Sequence, residues 1–215
     1  MCASVNVKRR YRSSRREAQA AETRQAVLAA ARTVFISSGW QKATIAAIAR
    51  LAGVSTETIY ATFGSKRAVL EALVTQAVRG AAPDVPLAEQ AGPRAVREAP
   101  DQRQQLQLFV EDITRVLARA APVMAVVRAA AEAEPELASL YATLHRGRAR
   151  NLEMVIDAML RHGPLRRGLD PRHALATLAR VTSPELFLLA TGVEGSSPAD
   201  YQDWLLATLT MLLIE

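Results

Sequence analysis

Residues Thr44 to Leu70 read TIAAIARLAGVSTETIYATFGSKRAVL, and the punctuation of this stretch describes two short helices joined by a tight turn, with a third helix starting after them. Ile45, Ile48 and Leu51 recur at helical spacing after Thr44, whose hydroxyl is suited to accept a hydrogen bond from an orphan amide at a helix start. Gly53 interrupts that helix and supplies the positive φ that a three-residue helix-to-helix turn needs and a Cβ penalises. Ser55 caps the second helix, which has room only from Thr56 to about Thr62. Ile59, with Phe63 four residues on, pins one side of it to a core. Ser55, Thr56, Glu57 and Thr58 make its amino end polar, where a helix entering the major groove presents side chains to base edges. Gly64-Ser65-Lys66 breaks this helix and caps the third, which carries Val69, Leu70, Leu73, Val74 and Ala77 at helical spacing. Ala-Gly-Val-Ser alone occurs in many helix connections. The whole series in one register, from apolar helix to lysine-led helix, points to a helix-turn-helix with a support.

On the amino-terminal side, a helix is expected from Glu22 to about Ser38, with Val27, Leu28, Ala31, Val34 and Phe35 on one stripe packing against Ile48, Ile59 and Leu70. Gly39 ends it, and Trp40 is a hydrophobic plug at the turn. Positive charge gathers here. Residues 1–70 hold 12 basic and 3 acidic residues, against 15 and 18 in the remainder, as phosphate neutralisation by counterion release requires. The first 16 residues alone contain Lys8, Arg9, Arg10, Arg12, Arg15 and Arg16 and no acid. Two readings of this tail stay open: cations that solvate a mobile end, or an arm that reaches along phosphates or into an adjacent minor groove.

On the carboxy-terminal side, Pro83, Pro86, Gly92, Pro93 and Pro100 punctuate a connector. Beyond Asp101 the chain reads as helix throughout. Leu106, Phe109, Ile113, Val116 and Leu117 form one segment; Pro122 leads a second; Pro135 leads a third, to about Arg161. On this third helix His145, Arg148 and Asn151 lie on or beside the stripe of Leu137, Tyr141, Leu144, Leu152, Val155 and Met159. Such polar groups suit a helix wall that orients a small ligand, or are simply solvated or paired. Asp170-Pro171 opens a further helix interrupted at Ser183-Pro184, and Ser197-Pro198 opens the last. That helix is apolar over more than one face, so it is either covered by a second subunit or buried at the centre of its own bundle.

The run AGVSTETIYATFGSKRAVL resembles the tetracycline-repressor-like (TetR) family of transcriptional regulators, and the resemblance extends through TRQAVLAAARTVFISSGWQKATIAAIA upstream and SPADYQDWLLATLTMLL at the end. It implies an all-α chain: a three-helix DNA-reading domain followed by a helical bundle that binds a ligand and dimerises through its last two helices. The expected organisation is a basic, disordered arm over 1–20, the helix-turn-helix domain over 21–80, the connector over 81–100 and the bundle over 101–215. By this resemblance Thr44, Tyr60 and Lys66 touch phosphates, and Ser55, Thr56, Glu57 and Thr58 face bases. Arg12, Arg15 and Arg16 are the arm residues placed with them. Ala61 and Thr62 depart from the larger polar or aromatic pair found in many members, so a contact is in doubt there. The expected ligand-lining set is Phe109, Met124, Tyr141, His145, Arg148 and Leu152. The expected dimer set is Phe187, Tyr201, Trp204, Leu205, Thr208 and Leu212.

Catalysis finds little support: His145, His162 and His173 lack metal-ligand spacing, and neither a glycine-rich phosphate loop nor a nucleophile elbow is present. With the single cysteine, Cys2, near the start, there is no thiolate framework and no cofactor or metal is expected. No apolar segment follows the basic tail as a leader would require, and no run spans a bilayer. The sequence therefore leads to a cytoplasmic, ligand-responsive repressor that binds a palindromic double-stranded DNA operator as a homodimer, with a small-molecule effector and no membrane partner. The alternatives are an architectural DNA binder without an effector, and a helical binding protein or enzyme with a vestigial DNA module.

Overall fold

The computed structural model describes residues 4–80, 82 and 84–214, with side chains from residue 16 onward. Ten α-helices lie among the described residues. Helix α1 (Ser4–Lys42) contains no proline, and its helical course ends at Gly39, with φ 70° and ψ 173°. The stretch expected to be irregular before residue 20 is thus helical from Ser4, consistent with a segment that is rich in Arg and contains neither Pro nor Gly. Then come α2 (Ile45–Ala52), α3 (Thr56–Phe63) and α4 (Lys66–Arg79). The chain divides into two compact units inside α4, at Leu73 and Val74.

In the first unit α1 packs on α2 and α2 on α3. Val27, Leu28, Ala31 and Phe35 are buried together with Ile48, Ile59, Val69 and Leu70. Leu51, which shares the helical spacing of Ile45 and Ile48, is 55% exposed. The inward side of α2 is the narrow strip of Ile45, Ile48 and Ala49, and Leu51 falls outside it.

The second unit is built around α6 (Gln102–Ala131), against which α5 (Ala91–Glu98), α7 (Pro135–Leu160), α9 (Pro184–Leu188) and α10 (Pro198–Leu213) pack, while α8 (Pro171–Val181) lies on α7. Two expectations change here. Pro122 lies inside one 30-residue helix rather than opening a new one. An interior proline removes a helical hydrogen bond, but Leu117, Ala120, Ala121, Val123 and Met124 around it are all buried, and that packing holds the helix together. The stretch 81–100 is likewise more than a spacer. It carries a turn of 3-10 helix at Leu87–Glu89 and then α5, whose Val96 joins the core with Leu106, Phe109, Leu152, Leu178, Tyr201 and Leu205.

Polar side chains close the helix ends. Asp101, Asp170, Ser183 and Ser197 accept amide hydrogens at the starts of α6, α8, α9 and α10, and Ser197 forms a reciprocal capping box with Asp200. Gln102 Nε2 donates to the carbonyls of Met159 at 3.0 Å and Gly163 at 2.9 Å, answering the end of α7. A turn of π-helix follows α9 over Leu189–Val193. Among the described residues no helix is long and apolar enough to cross a membrane, and no group of three or more His, Cys, Asp or Glu is placed to hold a metal ion.

Candidate nucleic-acid interface and effector cluster

Local hydrogen bonds set the helix-turn-helix. Thr44 Oγ1 accepts from the Ala47 amide at 3.1 Å, which leaves its own hydroxyl hydrogen to donate outward. At the turn, Gly53 sits at φ 69° and ψ 30°. Its amide donates to the Arg50 carbonyl at 3.4 Å and that of Val54 donates to Ala49 at 3.0 Å, the paired bonds of a left-handed helix ending. Ser55 Oγ then accepts from the Thr58 amide at 3.2 Å and lies 3.1 Å from Thr58 Oγ1. Helix α3 is fastened by Ile59, which is buried, while Tyr60 is 53% exposed. Thr56 and Thr58 are half-buried; Ser55 and Glu57 are exposed. The Glu57 carboxyl is held below its usual range by its own backbone amide and by the hydroxyls of Ser55 and Thr56, so at neutral pH it is a pure acceptor.

Thr62 is exposed and its hydroxyl donates to the Thr58 carbonyl of its own helix at 2.7 Å, and Ala61 is exposed. The cap of α4 is Ser65, whose Oγ accepts from the Ala68 amide at 3.1 Å. The Lys66 ammonium donates to the Trp40 carbonyl and stands 4.1 Å from the centre of the Trp40 ring. Arg24 covers the Phe63 ring at 4.5 Å. These cation-ring pairs join residues far apart in sequence, and no spacing rule points to them. Arg16 is exposed; the side chains of Arg12 and Arg15 lie outside the described residues.

In the second unit the six expected effector residues separate into two groups. Phe109, Met124 and Leu152 are buried. Tyr141, His145 and Arg148 share one face of α7 and form a polar cluster. Tyr141 Oη donates to Glu185 Oε1 at 2.8 Å, and the His145 ring meets the Tyr141 ring edge-on at 4.4 Å. Arg148 Nη2 donates to the Ala179 carbonyl at 2.8 Å and to Thr182 Oγ1 at 2.6 Å, so it ties α7 to the end of α8. Burial, with Arg148 beside it, pushes the His145 imidazole down. Burial and the Glu185 carboxylate push the Tyr141 hydroxyl up to about 12. For Glu185 burial works upward, but the Tyr141 hydroxyl, its own amide and the charges of His145 and Arg128 together hold it below its usual value. A separate cleft of about 640 Å³ opens among Gly80, Val85, Gln90, Leu108 and Arg119, and none of the six residues lines it.

The expected dimer set needs correction. Phe187, Tyr201 and Leu205 are core residues of this chain and present no surface. The stripe with 201, 205 and 209 faces inward, and Tyr201 Oη donates to the Val181 carbonyl at 2.8 Å. Trp204 is 46% exposed, and Thr208 and Leu212 are half-buried. On α10 and the π-helical turn before it, the exposed apolar residues are Trp204, Met211 at 56%, Leu189, and Val193 at 78%.

A short polar helix fixed by caps beside a glycine turn, followed by a separate helical unit, defines the class of helix-turn-helix proteins with an appended all-α domain. Residues 27–73 match the model for bacterial regulatory proteins of the tetR family. The match lies within the amino-terminal unit, and the chain as a whole is similar in fold to solved TetR-family transcriptional regulators. A TetR-family regulator from Agrobacterium tumefaciens is 19% identical, with 90% of this chain and 99% of that one covered and a TM-score of 0.64. The regulator FadR from Bacillus subtilis, solved with stearoyl-CoA, is 18% identical over 86% and 96% of the two chains, with a TM-score of 0.68. A regulator from Saccharomonospora viridis, solved with choline, is 21% identical over 91% and 99%, with a TM-score of 0.70. Comparison with curated proteins gives no match.

Proposed function

We propose that this protein is a cytoplasmic repressor that binds a palindromic operator as a homodimer and releases it when a small molecule occupies its second unit. The observation that carries the reading is α3. Its one buried side chain is Ile59, and its amino-terminal turn offers Ser55, Thr56, Glu57 and Thr58 beside the exposed Tyr60. In the major groove the threonine hydroxyls donate or accept, while the ionised Glu57 accepts only, which suits the exocyclic amino group of cytosine. Thr44 and Tyr60 supply hydroxyls to phosphates, which fix position without reading sequence. Two such helices in successive major grooves lie about 34 Å apart.

The exposed apolar residues Trp204, Met211, Leu189 and Val193 support a homodimer seam on the outer side of α10 and the turn before it. The effector is assigned to the bundle, with the polar cluster on α7 as its orienting wall; FadR with stearoyl-CoA and the choline complex are precedents for the fold. An effector releases DNA only through differential affinity for two states. The test is selection of duplexes from a random-sequence pool at two salt concentrations. Enrichment of an inverted repeat that survives the higher salt supports the reading. Salt-sensitive binding without a motif favours an architectural protein, and absence of binding overturns a DNA-reading role.

A further inference from the structure

We infer that the first part of α1 binds duplex DNA as a helix, laying one basic face along the phosphates beside the site that α3 reads. This inference rests on the DNA-binding reading above and adds a second contact element to it. Helix α1 runs from Ser4 without a break as far as Gly39, and residues 4–21 contain neither proline nor glycine. Lys8, Arg9, Arg10, Arg12, Arg15 and Arg16 fall in this stretch. At about 100° per residue, all of them except Arg10 share one arc of about 120°, and the first acid, Glu17, falls on the other side. Steps of three or four residues carry the same row from Arg12 and Arg16 through Gln19 and Thr23 to Val27, Ala30 and Val34, which are buried in the first unit. The basic face therefore lies on the side of α1 turned toward the body of the DNA-reading unit.

Such a face is costly to form alone. Arg12 stands three or four positions from Lys8, Arg9, Arg15 and Arg16, and like charges at those spacings oppose helix formation. Every residue from Arg16 to Glu22 is exposed, and the first buried side chain described in α1 is Val27. A helical segment without tertiary support is marginal in water, so a partner with closely spaced negative charge stabilises it. Lys8 to Arg16 spans about 12 Å of helix axis, which puts the five cations of the face at about one per 2.4 Å, against about one charge per 1.7 Å of duplex DNA. Ahead of Val27 the helix extends about 35 Å, the length of about one turn of duplex. A helix is about 10–12 Å across and cannot enter a minor groove about 6 Å wide, where an extended arm would go. A face made of cations alone neutralises phosphates and reads no sequence.

The test measures the slope of log affinity against log salt for the full chain and its variants, on the duplexes enriched in the selection above and on unrelated duplex. The triple variant Arg12→Gln, Arg15→Gln, Arg16→Gln removes three cations from the face. It should reduce the slope by about 2–3 and weaken both kinds of duplex alike. Arg10→Gln lies off the face and should leave the slope unchanged. Ser13→Pro keeps every charge but breaks the helix between Arg12 and Arg15, so it should reduce the slope by about 2, whereas Ser13→Ala should behave as wild type. Melting temperatures should match throughout, because every substitution lies well ahead of Val27. An unchanged slope in the triple variant overturns the inference and leaves the cations merely solvated. A triple variant with a reduced slope and Ser13→Pro behaving as wild type also overturns it, and means an extended arm. So does Arg10→Gln costing as much per charge as the face. If wild type binds no duplex, the DNA-binding reading itself has failed, a result distinct from any pattern among the variants.

Discussion

Gly53 gives the sharpest test of how the reading helix is placed. Its φ of 69° lies in the left-handed region, and a Cβ built there has no atom within 4 Å. Space is therefore plentiful, and only the backbone conformation selects glycine. For an L-residue that conformation costs roughly 1–2 kcal/mol, less for Asn, whose short polar side chain bonds locally. Val adds branching at Cβ, for which positive φ is a true outlier. In a chain of this size 1 kcal/mol shifts the melting temperature by about 2–4 °C. Gly53→Ala should therefore lower it by about 2–8 °C, Gly53→Asn by less than Gly53→Ala, and Gly53→Val by more. Thermal unfolding followed by circular dichroism at matched concentrations checks the series, and operator affinity should fall in the same order. The decisive comparison is Asn against Ala. Asn is the larger side chain, so an Asn variant less stable than the Ala variant would mean that volume governs the turn, and the conformational argument would be wrong.

Gly92 makes the opposite case, because a Cβ there would lie 2.3 Å from Asp112 Cγ and Oδ1. Gly92→Ala should destabilise by about 1–3 kcal/mol through overpacking, and Asp112→Ala in the same chain should abolish the loss; denaturant melts of the four species measure the coupling. Arg148→Met removes two charge-assisted hydrogen bonds at the end of α8 and should cost about 2–3 kcal/mol in chemical unfolding. The His145 imidazole is depressed in the folded state by burial, so the unfolded chain binds its proton first. The stability from this group is complete above pH about 6.5 and is lost as pH falls through the lower folded value. Melting temperature should therefore drop between pH 7.5 and 5.5, and His145→Gln should flatten that drop.

The parts of this protein legible in its sequence are those set by neighbours three or four residues apart. Thr44, Gly53 and Ser55 announce the turn because each acts on amides or carbonyls within one helical turn of itself. Proline is ambiguous on the same scale: Pro135, Pro171 and Pro198 open helices, whereas Pro122 lies within one, and only the packing around it decides. The last helix was readable as apolar on more than one side, but which side faces inward depends on α6, to which no local pattern refers. Arg148 and Lys66 are longer-range cases. Each is a cation whose partner is a carbonyl 31 or 26 residues away, and a carbonyl has no signature in sequence.

Proline in the middle of α6 has a consequence for how the second unit breathes. It has no amide hydrogen, so the carbonyl of Ala118 lacks the donor that would continue the ladder. Cooperative opening in helices propagates along that ladder. Amide hydrogen exchange should accordingly resolve α6 into two blocks, 102–121 and 123–131, with separate opening free energies. The longest helix of the second unit would then be geometrically continuous but act as two units in its fluctuations.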